Sequence, residues 1–474
     1  MPTISLQFAV FLTLLLVGYW ALRKSSPRLQ NLLLLFGSYL FYGWGEWRFL
    51  AILVGESALT WWIGGRIGKA RDKHQRKIWF VAGITVSLGA LGFFKYYDFF
   101  ASSTAKALGS FGLTADIGTL NLILPLGLSY FSLKAISYLV EVYHGRIEPS
   151  SDPVAYFLYL SFFPQIVAGP IDRPTNLLNQ LNVVRGLEEE DFYSGLKLAT
   201  WGLFKKAVIA DNLAPVVARG FSQYASLPGM ELLVTAGFFS IQMYCDFSGY
   251  SDIANGIARL FGIKPVDNFA QPYFSRDIAE FWRRWHISLT SWFRDYVFYP
   301  LGGGVGSRWK ALRNTILTFT LSGLWHGANW TFVVWGFVHG LLFVPILMGW
   351  QSTHVKKVAY KKVLPNPLEV LQIGVTFALV TITMVIFRAE SLTQAVGFLG
   401  RLISNFRLQN PHHLTELLLI AGWLIPEWIG RGRLSPLHLQ IARQPIRWAV
   451  YALVVAMILL RGQFGETPFI YRQF

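Results

Sequence analysis

Two histidines lie in a long uncharged stretch of the chain, where an ionisable side chain is costly to bury. Residues 314–349 contain no Asp, Glu, Lys or Arg, yet they include His326 and His339. His326 is 13 residues beyond Arg313, or roughly 20 Å along a helix, which is near the middle of a bilayer. A polar group at that depth is a candidate for function, and a core histidine bonded to a neighbouring helix is the alternative.

The sequence gives little support for metal, serine or cysteine chemistry. His326 and His339 are 13 residues apart, which on a straight helix is about 220° of rotation, so they would not share a face. No HExxH or GxSxG motif occurs. The single cysteine, Cys245, fits a small apolar filler better than a nucleophile. We therefore predict no metal site.

A second set of reactive residues lies in the amphipathic stretch 277–304. Its arginines, Arg283, Arg284 and Arg294, could bind phosphates. His286 lies among them. The alternative is ordinary anchoring of an interfacial helix, with snorkelling arginines. Three tryptophans favour an interfacial helix: Trp282, Trp285 and Trp292.

A third polar segment is 240–262, which contains Asp246 and Asp252 near the end of an apolar run. Ser248 and Gly249 lie between them and would allow another backbone to approach closely. A helix end with polar caps explains the same pattern. The segment is therefore a candidate without an assigned chemistry.

The composition indicates what kind of protein must position these residues. Of 474 residues, 53% are hydrophobic and 14% charged, and 42 basic against 26 acidic side chains give a net charge of +16. The low charged fraction argues against a soluble protein, because an average soluble domain is about 25% charged. The high hydrophobic fraction excludes a disordered chain, and the single cysteine excludes a disulfide scaffold. Long apolar runs separate the basic residues, which argues against nucleic-acid binding. The composition predicts an all-α polytopic membrane protein in a lipid bilayer.

Thirteen apolar segments are candidate membrane spans. One of them, 154–169, contains Pro164 and Gly169 and is predicted to be re-entrant or broken. About twelve crossings then remain, several of them short for an untilted helix. The segments are 6–22, 30–43, 48–64, 78–94, 121–140, 154–169, 195–212, 231–247, 313–331, 332–349, 368–387, 413–428 and 446–460.

The basic residues predict the orientation of the chain. The alternate loop 213–230 is poor in them, and none precedes the first apolar run, so we expect a retained span and no cleaved signal peptide. Both termini would then lie outside the cytoplasm. The segments rich in Lys and Arg, which would face the cytoplasm, are 65–77, 250–312, 351–364 and 429–447.

Five segments together resemble the membrane-bound O-acyltransferase family, in particular its alginate, peptidoglycan and cellulose O-acetylation branch. They follow one another through the middle of the chain and are specific as a set. The resemblance implies a ring of about twelve tilted transmembrane helices around a central funnel, with re-entrant and interfacial helices. The segments are LPLGLSYFSLKAISYLVEVYHG (124–145), SFFPQIVAGPIDRP (161–174), MYCDFSGYSDIANGIARLFGI (243–263), FWRRWHISLTSWFRDYVFYPLGG (281–303) and LSGLWHGANWTFVVWGFVHG (321–340).

The resemblance implies that His326, in GLWHGANW, is the catalytic histidine and that His286, in WRRWHIS, is the family's second polar position. An acyl thioester is already activated, so its transfer needs a base for the acceptor hydroxyl and a donor for the oxyanion. We expect His326 to be that base and His286 to orient or polarise. We place Asn329 one helical turn from His326, where it would donate a hydrogen bond to the oxyanion.

The resemblance also implies the donor. Acetyl-CoA would be a donor substrate and not a bound cofactor. We expect its phosphates to meet Arg283, Arg284 and Lys205, because guanidinium and ammonium groups bind phosphate oxygens.

The tail implies an acyl relay. A related teichoic-acid system uses a separate small membrane helix that ends in a Phe-Ile-Tyr-x-x-Phe-like motif, and this chain ends in PFIYRQF. We therefore expect an acyltransferase domain in residues 1–445, followed in 446–474 by that helix in cis, with Tyr471 carrying the acyl group.

The expected function is transfer of acetyl from cytoplasmic acetyl-CoA across the bacterial inner membrane, for O-acetylation of an alginate, peptidoglycan or cellulose type of polysaccharide. The expected partners are an extracytoplasmic SGNH-hydrolase-like acetyltransferase and the polysaccharide synthesis machinery, without nucleic acid. Two alternatives stay open. One is a permease without acyl-transfer chemistry, and the other is D-alanyl transfer to a cell-wall polymer.

Overall fold

The structure is a computed structural model, and it describes residues 4–113, 118–350, 358–359, 362–407, 413–433, 435–438 and 443–464. Within these ranges every regular element is helical. The chain divides into two compact units: Met1–Gly195 with Ile257–Val266, and Leu196–Gly256 with Asp267–Phe474. The divisions at Gly195 and Gly256 fall inside helices.

The helices of the first unit include several short ones beside longer apolar ones. A π-helical turn, Gly92–Tyr96, joins the fourth helix to the fifth, and Trp47–Phe49 is a 3-10 turn. The helices are α1 (Leu6–Ala21), α2 (Pro27–Glu46), α3 (Leu50–Lys69), α4 (Lys73–Leu91), α5 (Tyr97–Ser110), α6 (Leu128–Tyr143), α7 (Pro153–Ser161), α8 (Pro174–Leu181) and the start of α9 (Glu189–Leu203).

The apolar segment 154–169 is a broken helix. α7 ends at Ser161, and the chain continues as turns whose side chains are largely buried. Lys134 of α6 donates to Gln165 Oε1 at 2.7 Å, and Gln165 donates in turn to the Asp172 carboxylate. Irregular backbone at membrane depth is tolerated where protein covers it. The predicted break is therefore confirmed.

The second unit carries the candidate site. It includes a 3-10 turn, Pro272–Phe274, and the π-helical turns Phe204–Ala210 and Arg294–Phe298. After the end of α9, its helices are α10 (Asp211–Ser222), α11 (Gly229–Leu260, of which the last turn is assigned to the first unit), α12 (Ile278–Arg284), α13 (Ile287–Phe293), α14 (Arg308–His326), α15 (Trp330–Leu341), α16 (Val344–Leu347), α17 (Pro367–Arg388), α18 (Leu392–Ser404), α19 (Leu414–Ile429) and α20 (Gln444–Arg461).

Local signals in the sequence set where the helices near the site begin. Ser307 caps α14 by accepting from the Lys310 backbone N–H at 3.2 Å. Asn366 and Glu369 form a reciprocal capping box around Pro367 at the start of α17. Each device satisfies backbone N–H groups that have no partner inside the helix.

Large apolar side chains remain exposed on the outer helix faces. Leu371 of α17 is 63% exposed and Leu459 of α20 is 72% exposed. Extended apolar surfaces of this kind are rare on soluble monomers and are stable against lipid. In the described part of the chain, four helical segments are long and apolar enough to cross a membrane: Lys73–Ser110, Trp330–Leu347, Pro367–Arg388 and Gln444–Arg461.

Candidate active site

α14 ends at His326, and the chain then leaves the helix at Gly327. A Cβ atom on Gly327 would lie 2.2 Å from the ring of Phe332, so a larger residue would displace that ring. The span predicted over 313–331 corresponds to α14, Arg308–His326, and its end is misplaced. The helix ends at His326, five residues before residue 331, and is followed by Gly327, where there is no space for a side chain.

Asn329 does not lie one helical turn from His326, because α14 has already ended. It is the N-cap residue of α15, where its Oδ1 accepts from the Thr331 backbone N–H at 3.1 Å. Its Nδ2 donates to the backbone carbonyl of Glu390 at 3.0 Å. Both ends of the amide thus hold local structure, which argues against the predicted role as a donor to an oxyanion.

Close packing of α14 on α15 fixes the surroundings of His326. A Cβ atom on Gly336 would lie 2.2 Å from the backbone oxygen of Phe319, and Gly323 and Gly336 face each other directly. Small residues permit such backbone contact between membrane helices. The packing brings the Trp335 ring edge-on to His326 at 5.2 Å between centroids. His326 is only 4% exposed.

His286 lies at the break between α12 and α13, in the left-handed conformation with φ 44° and ψ 54°. A residue other than glycine pays about 1–3 kcal/mol there and persists only where its surroundings hold it. The side chain is 1% exposed, and its ring centroid lies 6.5 Å from that of His326. The fold thus brings together two histidines that are 40 residues apart in sequence.

Aromatic rings surround both imidazoles. The Trp325 ring packs against both, with its centroid 5.2 Å from that of His326 and 6.2 Å from that of His286. Phe247 lies 4.6 Å from His286, and Phe387 lies 5.5 Å from His326. Burial in these surroundings lowers the pKa of His286 to about 3, so this imidazole is neutral at physiological pH. Hydrogen bonds are electrostatically stronger in such an environment than in water.

His339 is a packing histidine. Trp282 Nε1 donates to its Nδ1 at 3.3 Å. Thr383 gives its hydroxyl hydrogen to the Val380 carbonyl, so His339 Nε2 must donate to Thr383 Oγ1 at 2.9 Å. Both ring nitrogens are therefore satisfied. No group of three His, Cys, Asp or Glu side chains in the described residues is arranged to hold a metal ion.

The stretch 277–304 is not one interfacial helix. It consists of α12, α13 and the π-helical turn Arg294–Phe298, with the break at His286. Its tryptophans lie inside the protein, where large aromatic side chains gain from burial. Their exposed fractions are 4% for Trp282, 3% for Trp285 and 6% for Trp292. Their interpretation as interfacial anchors is therefore wrong.

Arg283 and Arg284 are adjacent in α12 but line different cavities. Arg283 lines a cavity of about 330 Å³ that also includes Ile287, next to His286, and Ser322, one turn before His326. Arg284 pairs with Glu280 and lines a second cavity of about 520 Å³. Three further cations line this second cavity: Lys362, Arg431 and Arg433. The two arginines therefore do not share one binding cavity. Their contact with donor phosphates stays a prediction.

Lys205 belongs to a buried ion cluster. The side chain is 2% exposed. Its Nζ lies 2.7 Å from Asp252 Oδ2, 2.9 Å from Ser248 Oγ and 3.9 Å from Glu427 Oε1. A buried ammonium group needs such counter-ions. The cluster argues against the predicted contact between Lys205 and the donor phosphates.

The next residue, Lys206, is paired in the same way. Its Nζ lies 2.6 Å from Asp246 and 2.8 Å from Asp211. The carboxylates of segment 240–262 are therefore counter-ions of two consecutive lysines in a π-helical turn. A Cβ atom on Gly249 would lie 2.7 Å from the Gly202 oxygen, which confirms the predicted close backbone approach at this glycine.

The predicted acyl carrier, Tyr471, lies outside the described residues. The helix before it, α20, is held on the second unit. Asn212 donates to the Arg461 carbonyl at 2.9 Å, and the Gln463 backbone N–H donates to the Ala207 carbonyl at 3.0 Å. The proposed division of the chain at residue 446 stays a prediction.

Asn268 is a site residue that the sequence does not reveal. Its Oδ1 lies 3.0 Å from His286 Nδ1 and accepts from Ser288 Oγ at 2.9 Å. It precedes His286 by 18 residues, in a loop without a recognisable motif. The contact appears only when residues 268–271 fold back onto the break between α12 and α13.

Comparison with known proteins places these residues in a family. Residues 126–373 match the model of the membrane-bound O-acyltransferase family. The chain is 39% identical to a probable alginate O-acetylase of Azotobacter vinelandii over 81% of this chain and 75% of that protein. It is 33% identical to a peptidoglycan O-acetyltransferase of Helicobacter pylori, over 83% and 78% respectively. A teichoic acid D-alanyltransferase of Streptococcus thermophilus is 32% identical over only 47% of this chain and 57% of that protein.

Proposed function

The chain belongs to the membrane-bound O-acyltransferase family, and from this premise we propose that it passes acetyl groups from acetyl-CoA toward an extracytoplasmic polysaccharide. The observation that carries the proposal is the buried pair of His286 and His326, inside the matched residues 126–373. Relatives named for O-acetylation match most of the chain, whereas the relative named for D-alanyl transfer matches less than half. Acetyl is therefore the favoured acyl group.

The proposed reaction needs no metal. A base removes the proton from the acceptor hydroxyl, whose oxygen attacks the thioester carbonyl carbon. The carbon–sulfur bond then breaks, and the leaving thiolate takes up a proton to become a thiol. His326 is the proposed base. Its aromatic surroundings exclude water, which would otherwise compete with the acceptor hydroxyl.

The two cavities beside α12 are the proposed donor sites. The thioester end fits the cavity of about 330 Å³ that includes Ser322, one turn from His326. The cavity of about 520 Å³ that includes Arg284 carries four cations in all, which suits the phosphates of acetyl-CoA. Arg283, at the first cavity, is proposed to contact the donor there.

The proposed setting is the bacterial inner membrane. About twelve helices would form a ring around a funnel, with the basic loops and the donor on the cytoplasmic side and both termini outside. Four apolar segments of sufficient length and a net charge of +16 support this arrangement.

We further propose that Tyr471 relays the acetyl group. The phenol oxygen would attack the thioester, and an extracytoplasmic SGNH-hydrolase-like acetyltransferase would take the acetyl group from the tyrosyl ester to the polysaccharide. The bond from Gln463, just after α20, to the Ala207 carbonyl supports the relay, because α20 and its end pack on the catalytic unit. The polysaccharide synthesis machinery would supply the acceptor.

The proposal is tested with purified protein in lipid vesicles and acetyl-labelled acetyl-CoA. We expect release of CoA thiol and covalent labelling of the protein. Tyr471→Phe should lose the label. Tyr451→Phe on α20 is the matched control and should keep it, because its hydroxyl only bonds the Leu437 carbonyl. An equally labelled Tyr471→Phe variant would rule out the relay, and a wild-type protein that releases no CoA would rule out acetyl-CoA as donor.

A further inference from the structure

We propose that Asn268 is a positioning residue that fixes the tautomer of His286, so that His286 presents Nε2 to the reacting groups as a hydrogen-bond acceptor. This inference rests on the proposed acyl transfer at the histidine pair. Asn268 itself is 2% exposed and is not among the residues that line either cavity described above.

The orientation of the Asn268 amide is set by its neighbours. The Ser288 backbone N–H, which can only donate, lies 3.3 Å from Oδ1, and the Ser288 hydroxyl lies 2.9 Å from the same atom. On the other side, Nδ2 donates to Ser251 Oγ at 3.2 Å. The amide oxygen is therefore the atom that faces His286.

The amide oxygen determines where the imidazole proton lies. Oδ1 can only accept, and it lies 3.0 Å from His286 Nδ1, so Nδ1 carries the hydrogen. In the neutral ring Nε2 then holds a lone pair. Nε2 is buried and has no hydrogen-bond partner among the described residues. A buried acceptor without a partner is unfavourable, and a donor on the bound substrate would remove that cost.

The main chain reinforces this arrangement. The Ile287 backbone N–H donates to the Asn268 carbonyl at 2.9 Å, and the Ala270 N–H donates to the Arg284 carbonyl at 3.0 Å. These two bonds hold loop 268–271 against the chain on both sides of the strained residue His286. Surroundings that over-determine a strained position in this way are a feature of functional sites.

His339, another buried histidine, shows the opposite arrangement. His339 donates from Nε2 to Thr383 and accepts at Nδ1 from Trp282, so both of its nitrogens are used in packing. His286 differs in keeping one acceptor nitrogen for a ligand. Of the two expected roles of His286, to orient or to polarise, a bare Nε2 on the neutral ring excludes polarising a carbonyl from that atom. His286 accepts a hydrogen bond there instead.

The first test measures turnover of acetyl-CoA as a function of pH. Asn268→Leu removes the acceptor, so we expect kcat to fall by about 10- to 100-fold, the range for partners that orient metal-bound histidines, with the KM for acetyl-CoA changed less than about twofold. Asn268→Asp keeps an acceptor, so it should retain more activity. Its carboxylate would stabilise the His286 imidazolium and shift the acid limb of the pH profile upward.

Ser251→Ala is the matched control. It removes the partner of the Asn268 Nδ2 group and leaves Oδ1 facing His286, so activity and pH profile should stay close to wild type. An equal loss of kcat in Ser251→Ala and Asn268→Leu would overturn the proposal, because it would show that loop packing alone matters. An unchanged pH profile in Asn268→Asp would also overturn it.

The second test observes the tautomer without any activity measurement. Protein labelled with ¹⁵N-histidine is studied by solid-state NMR, and the His286 signals are assigned from a His286→Gln sample. We expect a protonated Nδ1 and a bare Nε2 in wild type, and a mixture of tautomers in Asn268→Leu. The same tautomer in both samples would contradict the proposal even if the protein proved inactive with acetyl-CoA. Lack of turnover with the expected tautomers would instead contradict only the proposed function.

Discussion

Lys205→Met tests whether Lys205 is an internal counter-ion or a ligand of the donor phosphates. The change keeps the length of the side chain and removes its charge. It leaves Asp252 and Glu427 buried without the ammonium that lies 2.7 Å and 3.9 Å from them. If the lysine serves the ion cluster, the loss must appear in stability. If it serves the donor, the loss must appear in KM.

The distances give the magnitude. With an effective dielectric constant of about 20, Coulomb attraction is about 6 kcal/mol at the Asp252 contact and about 4 kcal/mol at the Glu427 contact. Desolvation offsets much of this, and removing one partner of a buried pair costs about 3–5 kcal/mol. At about 2 °C per kcal/mol for a unit of about 270 residues, the unfolding midpoint should fall by roughly 6–10 °C.

Cys245 provides the assay. It is the single cysteine of the chain and is buried, so a fluorogenic maleimide reacts with it as the second unit unfolds. Circular dichroism follows the whole protein alongside. Lys264→Met is the control in the circular dichroism measurement, because Lys264, in the first unit, also lies 2.7 Å from a carboxylate, Asp191, but is 57% exposed. Its loss should cost at most about 1 kcal/mol.

A second variant completes this test. Adding Asp252→Asn to Lys205→Met removes one uncompensated carboxylate and should restore part of the midpoint. A Lys205→Met protein with a wild-type midpoint and a KM for acetyl-CoA raised tenfold or more would contradict the role of Lys205 as an internal counter-ion. That result would identify Lys205 as a ligand of the donor phosphates.

Three further changes have defined outcomes. Thr383→Val leaves the His339 Nε2–H group without its acceptor and should destabilise the protein by about 1–3 kcal/mol in the thiol assay; an unchanged midpoint would mean that this bond is not needed. Gly336→Ala should lower the midpoint because its Cβ would meet a backbone oxygen at 2.2 Å, whereas Gly237→Ala meets nothing within 4 Å and should not, and equal midpoints would argue against the tight helix packing. Arg284→Gln should raise the KM for acetyl-CoA but not for S-acetylpantetheine, which has no phosphates; equal changes would remove the phosphate assignment.

The sequence predicted the class of protein and singled out His326, because both depend on local composition, whereas His286 lies among arginines and is indicated only by the family resemblance. A low charge fraction indicates a membrane protein, and an imidazole in an uncharged stretch is conspicuous whatever its neighbours are. The broken segment after Ser161 was also predictable, since proline and glycine interrupt helices through their own backbone geometry.

The sequence could not predict which side chains meet. Trp282 has the character of an interfacial residue and yet packs on His339, because tertiary burial overrides the preference of tryptophan for interfaces. The buried ion cluster of Lys205 was not predictable, because its counter-ion Glu427 lies 222 residues away in sequence. Asn268 orients His286 only through a turn that no spacing rule indicates.

The most direct test of the central claim is acetyl transfer by His326→Ala. Acetyl-labelled acetyl-CoA is supplied to the purified protein in vesicles, and CoA release is measured together with the Cys245 unfolding midpoint. His144→Ala, at an exposed histidine, is the control. We expect His326→Ala to stay folded in the membrane and to lose acetyl transfer, while His144→Ala keeps both. Near-normal CoA release by a folded His326→Ala protein would contradict the assignment of the histidine pair as the catalytic centre.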